Sequence, residues 1–175
     1  MNNQYPKVYK NISKANFLNE DIKNKAVVIF MSEDNYKKEY KKYQDTYFET
    51  TFEKAKETDN KLFIHAKDVG LDWGFTETPN ERMLDEINRF LLYNKDEEII
   101  SVCDAGVARS GFVTFLLDVK NNNLTDVERF ETKQDIEFDS RKGRYITNPA
   151  FTWLLLNSDV LTKEEKGRLE EIKWN

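Results

Sequence analysis

The sequence contains little cysteine, glycine or proline. Its single cysteine, Cys103, excludes a disulfide within the chain and a zinc site built from several thiolates, and it favours a reducing compartment. Only six glycines and three prolines occur among 175 residues, which excludes collagen-like and Pro/Gly-rich disordered classes. We therefore expect a folded chain, and its length suits one domain over residues 1–175.

Long apolar runs and an excess of positive charge are also missing. No stretch approaches the roughly 20 apolar residues of a membrane-spanning helix. The polar start, Met1 to Lys10, lacks the apolar segment of a secretory signal. The net charge of −5 argues against non-specific binding to nucleic acid. These patterns predict a cytoplasmic protein with neither a membrane nor a nucleic-acid partner.

Four apolar segments predict the strands of an α/β domain. An alternating segment over Pro6–Ile12 is typical of an edge strand, whereas Ala26–Met31, Leu62–Ala66 and the segment that enters Cys103 are short apolar runs. Helical segments separate the later strands, and such crossovers produce parallel pairing. We predict a central, mostly parallel sheet of about four or five strands, flanked by helices, with the site at the carboxyl ends of the strands.

Three sequence patterns predict helix starts. Thr78 is predicted as an N-cap, with Pro79 as the first helical residue and Glu81 as the reciprocal capping partner. Asn148 before Pro149 and Thr162 before two glutamates predict two more starts. Aromatic residues at three- and four-residue steps predict one or two helices over Asp34–Glu57. The apolar run Phe112–Val119 is expected in the helix that follows the Cys103 loop, and Leu124–Lys133 is also predicted to be helical.

The segment from Cys103 to Ser110 predicts a phosphate-binding loop. A strand ends at Cys103, five residues separate it from Arg109, and a helix follows. The backbone N–H groups of such a loop surround a point above the sulfur, where the positive end of the helix dipole favours both a tetrahedral oxyanion and a thiolate. The predicted phosphate-binding residues are Asp104, Ala105, Gly106, Val107, Ala108 and Arg109.

Individual side chains in this loop have predicted roles. The planar guanidinium of Arg109 can bind two oxygens of one anion, which lysine cannot do. Ser110 is positioned to donate a hydrogen bond to the thiolate, and Gly106 permits a positive φ or a close approach. The Asp104 side chain is expected to contact solvent or substrate rather than to act as an acid. The alternative interpretation is a buried structural cysteine at the end of a strand, which is common.

The Cys-x5-Arg-Ser pattern of Cys103 to Ser110 resembles the signature loop of the cysteine-based protein tyrosine and dual-specificity phosphatases. The Ala105-Gly106 pair is similar to the compact dual-specificity branch. The resemblance implies hydrolysis of a phosphomonoester through a phosphocysteine, with Cys103, Arg109 and Ser110 as catalytic residues and no metal or cofactor. The implied substrate is a phosphorylated protein, phosphotyrosine first, or a small phosphomonoester.

The resemblance also implies a general acid on a loop after the preceding strand. Asp68 follows that strand directly and is favoured, while Asp72, beside Trp73, is the alternative. Both could also be solvated turn residues.

One position departs from the family pattern. Val102 stands where the family usually has histidine, so the thiolate lacks one supporting contact and a slower reaction is expected. This departure keeps a second hypothesis open, an inactive relative that binds a phosphorylated protein or nucleotide without turnover.

Overall fold

In the computed structural model, four parallel strands form one sheet. The structure describes residues 4–31, 50–66, 78–104, 106–123 and 148–174. The strands are β1 (Tyr9–Ser13), β2 (Ala26–Met31), β3 (Lys61–His65) and β4 (Ile99–Cys103), in the order β1-β4-β2-β3. Each neighbouring pair is parallel. The predicted α/β class with a parallel sheet is confirmed, and β1 lies at an edge as expected.

The apolar run of β2 is buried on both faces of the sheet. All six of its residues are buried, and alternate side chains point to opposite faces. Val28 and Phe30 join one apolar cluster, whereas Val27 and Ile29 join another. A central parallel strand therefore reads as a continuous apolar run rather than as an alternating one.

Helices lie against both faces of the sheet. They are α1 (Lys14–Phe17), α2 (residues 50–55), α3 (Glu81–Tyr93), α4 (Ala108–Asn121), α5 (Pro149–Asn157) and α6 (Lys163–Trp174). α1 and α2 contribute to the cluster that contains Val27, and α3 to α6 contribute to the cluster that contains Val28. None of the helices in the described ranges is both long and apolar enough to cross a bilayer.

The predicted start of α3 is wrong by two residues. Asn80, not Thr78, is the N-cap, and its side chain accepts a hydrogen bond of 3.1 Å from the Met83 N–H. Pro79 therefore precedes the helix, and Glu81 is its first residue. The backbone of Asn80 is extended, and its amide oxygen supplies the acceptor that the helix start requires.

The other two predicted helix starts are confirmed. The Asn148 side chain accepts from the N–H groups of Ala150 and Phe151 at the start of α5. Thr162 and Glu165 cap each other reciprocally at the start of α6. Of the predicted helical region Asp34–Glu57, residues 50–57 are described and 50–55 are helical. The predicted helix over Leu124–Lys133 lies outside the described residues.

The parallel register brings the carboxyl ends of the strands to one edge. Ser13 at the end of β1 pairs with Cys103 at the end of β4, and Met31 at the end of β2 pairs with His65. Ligands of open parallel sheets bind at this edge. The fold therefore places the Cys103 loop where a ligand site is expected.

Candidate functional site

Cys103 and Ser110 lie together at the base of the loop between β4 and α4. The thiol residue is only 1% exposed, and its Sγ lies 3.1 Å from the Ser110 Oγ. Ser110 belongs to the first turn of α4, and its carbonyl accepts a 2.9 Å hydrogen bond from the Ser101 hydroxyl. This second contact anchors the helix start to β4. The serine hydroxyl is thus positioned to donate to a thiolate.

Gly106 makes the tight turn of the loop. Its φ is +71°, and a Cβ at this position would lie 2.3 Å from the backbone nitrogen of Ser13. The position therefore requires glycine both for its left-handed backbone and for its close approach to β1. The Gly106 N–H donates to the Cys103 carbonyl over 3.2 Å, which closes the turn.

Asn11 fixes this turn from the neighbouring strand. Its Nδ2 donates to the Gly106 carbonyl over 2.7 Å, and its Oδ1 accepts from the Thr114 hydroxyl over 3.1 Å. One side chain of β1 thereby connects the loop to α4. Ala105, another predicted phosphate-binding residue, lies outside the described residues.

The start of α4 presents unpaired donors. The intrahelical ladder begins with the Gly111 N–H, which donates to the Val107 carbonyl over 2.9 Å. Val107 is the N-cap and offers no side-chain cap. The N–H groups of Ala108, Arg109 and Ser110 have no hydrogen-bond acceptor among the described residues. Such a helix start attracts an anion through both its donors and its dipole.

The guanidinium of Arg109 is buried and only partly paired. The residue is 4% exposed, its Nη1 donates to the Ala66 carbonyl over 2.9 Å, and its Nη2 donates to Asp104 Oδ2 over 2.6 Å. Its Nε is buried and has no hydrogen-bond partner among the described residues. Ala66 directly follows β3, so the guanidinium is held between the ends of β3 and β4.

A second buried cation, Lys14, shares the same carboxylate. Lys14 is the first residue of α1, is 6% exposed, and places its Nζ 2.5 Å from Asp104 Oδ1. Among the described residues, Lys14 and Arg109 have no other carboxylate within ion-pair distance. Counted over the described residues, these two buried cations and one carboxylate carry a net positive charge.

Asp104 is ionised in this arrangement. Burial alone would raise the pKa of its carboxyl, but the hydrogen bond and charge of Lys14, followed by those of Arg109, outweigh burial. The pKa of Asp104 therefore lies below its ordinary value. The Asp104 side chain is 42% exposed, so it does reach solvent as expected. The expectation did not include its contacts with protein cations, which both carboxylate oxygens make.

The structure brings three of the predicted catalytic residues to one loop, namely Cys103, Arg109 and Ser110. The two candidates for the general acid, Asp68 and Asp72, lie outside the described residues. Val102, at the position of the family histidine, is fully buried in the apolar cluster on the opposite face from Cys103. It therefore supplies no polar contact to the thiol.

Sequence reasoning missed two residues of the site, Asn11 and Lys14. The signal was available, because Asn11 lies near the carboxyl end of the predicted edge strand Pro6–Ile12 and Lys14 follows two residues after that end. Because the carboxyl ends of parallel strands share one edge, they belong beside Cys103.

No protein-family model matches this sequence, and comparisons with curated proteins and with solved structures find no match. Within the described ranges, no group of three or more His, Cys, Asp and Glu side chains is arranged to hold a metal ion. The Cys103 loop and the charges beside it are therefore the features that indicate a function.

Proposed function

We propose that the protein hydrolyses phosphomonoesters through a phosphocysteine on Cys103, as a protein tyrosine or dual-specificity phosphatase with a phosphatase-like fold. One observation carries the proposal. Beside the only thiol of the chain, and within the part of the chain that the structure describes, two buried cations share a single carboxylate and the Nε of Arg109 has no hydrogen-bond partner.

This surplus of donors and positive charge favours a bound oxyanion. A buried charge without a partner costs several kcal/mol, so a site of this kind is stabilised by an anionic ligand. The Nε and Nη2 groups lie on one edge of the Arg109 guanidinium, the edge that binds two oxygens of a phosphate. The free N–H groups of the first turn of α4 add further donors.

The proposed reaction has two steps. In the first, the Cys103 thiolate attacks phosphorus, an S–P bond forms, and the P–O ester bond breaks while a general acid protonates the leaving oxygen. In the second, the same carboxylate takes a proton from water, the water oxygen attacks phosphorus, and the S–P bond breaks to release phosphate and the thiolate. The Ser110 hydroxyl, 3.1 Å from the sulfur, donates to the departing thiolate.

The general acid of this mechanism is assigned from the sequence alone. Asp68 is proposed for this role, with Asp72 as the alternative. The loop recognises only the phosphoryl group, so the substrate class is broad: phosphotyrosine in a protein first, then other phosphorylated residues or small phosphomonoesters. The expected cytoplasmic location belongs to this proposal.

A binding protein without turnover is the second candidate, and Val102 is the observation that favours it. Its apolar side chain cannot support the thiolate as a histidine does, and it is packed on the face of the sheet away from the sulfur. In that case the loop binds a phosphorylated partner and leaves the ester intact.

Hydrolysis of p-nitrophenyl phosphate by the wild-type protein and by Cys103→Ser tests the proposal. We expect wild-type turnover and a rate at least about 1000-fold lower in the variant, because the nucleophile is removed. The melting temperature of the variant reports whether the fold is kept. Equal rates for the two proteins would eliminate the enzyme. Phosphate binding without wild-type turnover would instead establish the binding protein.

A further inference from the structure

We infer that Asp104 is an internal competitor for the phosphate site: its carboxylate is paired with Arg109 in this structure and is retained by Lys14 when a phosphoryl group displaces it from Arg109. This inference rests on the proposed function and adds two positioning residues to it. Neither residue touches the reacting atoms, and both act through Arg109.

The contacts of Asp104 are divided between the two cations. Its Oδ2 binds Arg109 Nη2 at 2.6 Å, and its Oδ1 binds Lys14 Nζ at 2.5 Å. Because each oxygen has its own cation, one contact can break while the other is kept. The Asp104 side chain is 42% exposed, so it has room to turn, whereas Lys14 and Arg109 are buried.

The edge of Arg109 that suits a phosphate is half occupied. Nη1 donates to the Ala66 carbonyl, Nη2 donates to Asp104, and Nε has no acceptor in the described ranges of the chain. A phosphate bound through both Nε and Nη2 takes the Nη2 N–H that faces Nε, and it brings its negative charge close to the Asp104 carboxylate that accepts from the same Nη2. The Asp104–Arg109 ion pair also joins the two ends of the loop that follows the buried Cys103. Phosphate binding and this ion pair therefore compete.

Lys14 determines how costly the exchange is. A displaced carboxylate beside a phosphate is a pair of like charges, which disfavours binding. Lys14 neutralises Asp104 after the exchange and holds it away from Arg109. Without Lys14, the carboxylate keeps its ion pair with Arg109 and competes more strongly with the phosphate.

The two residues are therefore predicted to have opposite effects. Asp104→Asn removes the competing charge with little change in shape, and we expect it to tighten binding of inorganic phosphate about tenfold. Lys14→Met is expected to weaken binding about tenfold. In the Asp104→Asn background, Lys14→Met should change the logarithm of the Kd for phosphate by well under half of the change that it causes in wild type. The reason is that the competing carboxylate is already gone.

Titration calorimetry with inorganic phosphate tests these signs on the full chain. Asp59→Asn is the matched control, because it removes the same charge at an exposed site before β3, at the opposite edge of the sheet, and should leave the affinity unchanged. Steady-state assays of p-nitrophenyl phosphate add a second readout, in which Asp104→Asn should lower KM without raising kcat.

The outcomes separate this inference from the proposed function. If wild type binds phosphate and Asp104→Asn binds equally or more weakly, Asp104 is only a support for Arg109, and the inference fails alone. If Lys14→Met weakens binding to the same extent in both backgrounds, the exchange is also wrong. If neither wild type nor any variant binds phosphate, the proposed function and the inference fail together.

Discussion

The two ends of α4 are built in opposite ways. At the carboxyl-terminal end, the chain caps its own helix: Asn122 adopts a left-handed backbone, and its N–H, followed by that of Asn123, binds the carbonyl of Asp118. The buried Asp118 carboxylate accepts a hydrogen bond from the Tyr9 hydroxyl. At the amino-terminal end, Val107 provides no side-chain cap, and donors remain free among the described residues.

This difference distinguishes polar groups that stabilise the fold from polar groups that can bind a ligand. Both ends carry a buried charged residue, Asp118 at one and Arg109 at the other, and both lie near β1. The carboxyl-terminal end obtains its partners from the chain, as a structural network should. The amino-terminal end keeps a surplus of donors and positive charge, which is what an anion site requires.

Among the variants that probe the two ends of α4, Arg109→Lys should have the largest effect. Lysine keeps the charge but loses the planar pair of donors, so kcat/KM should fall by about 100- to 1000-fold. Assays of p-nitrophenyl phosphate measure this loss. Arg82→Lys is the control, because Arg82 is an exposed residue of α3 that pairs with Glu86. This substitution should leave the rate unchanged. Equal rates for Arg109→Lys and wild type would show that the amino-terminal end of α4 is not a functional anion site.

Gly106→Ala should break the loop itself. A Cβ would meet the Ser13 backbone at 2.3 Å in a left-handed conformation, so we expect a loss of about 2–4 kcal/mol in the free energy of unfolding, together with weaker phosphate binding. Urea titration measures the first effect. Gly167→Ala on α6 is the matched control, because nothing lies within 4 Å of its added Cβ. The control should gain about 0.5–1 kcal/mol. Similar values for the two variants would contradict the tight turn.

Ser110→Ala should have a smaller effect, confined to the rate. Its hydroxyl lies 3.1 Å from the Cys103 sulfur, and a hydrogen bond to a charged group contributes about 1.5–3 kcal/mol. We expect kcat to fall by about 10- to 100-fold, with the phosphoenzyme accumulating because the thiolate leaves more slowly. Quenched-flow measurements of the bound phosphate follow this intermediate. An unchanged kcat would remove Ser110 from the mechanism.

Tyr9→Phe should give the smallest effect, in the structural network at the other end of α4. Burial and the hydrogen bond to Asp118 raise the pKa of Tyr9 from 10.0 to about 12. Above pH 10 the unfolded chain loses this proton while the folded chain keeps it, so stability falls as the pH rises towards 12.

The variant should lose part of this alkaline decline and keep wild-type activity at neutral pH. Part of the decline should remain, because the pKa of Tyr5 is also raised to about 12 by burial. Unfolding free energies measured between pH 8 and 12 give the two slopes. Identical slopes for Tyr9→Phe and wild type would show that Tyr9 does not hold its proton in the folded state.

Local sequence patterns predicted most of the fold because strand burial and helix capping depend on residues that are close together in the sequence. Apolar runs identified the strands, and the Asn148 and Thr162 caps identified two helix starts. The start of α3 was misplaced because Thr78 and Asn80 are both good caps, and sequence alone does not say which backbone is extended. That residues 1–175 form one domain stays a prediction.

The loop was predicted from spacing, but its charges were not. Cys103, Arg109 and Ser110 are close in sequence, so their pattern is visible. The pairing of Lys14 with Asp104 joins residues 90 positions apart and depends on the register of β1 against β4. Only the folded sheet reveals that pairing, and with it the surplus of positive charge.

A crystal structure with tungstate, an unreactive analogue of phosphate, tests the central claim most directly. The account predicts the oxyanion above the Cys103 sulfur, with oxygens on Arg109 Nε and on the first N–H groups of α4, and with Asp104 turned to Lys14. A loop without bound tungstate at saturating concentration, or a tungstate bound elsewhere while Arg109 keeps its present contacts, would contradict it.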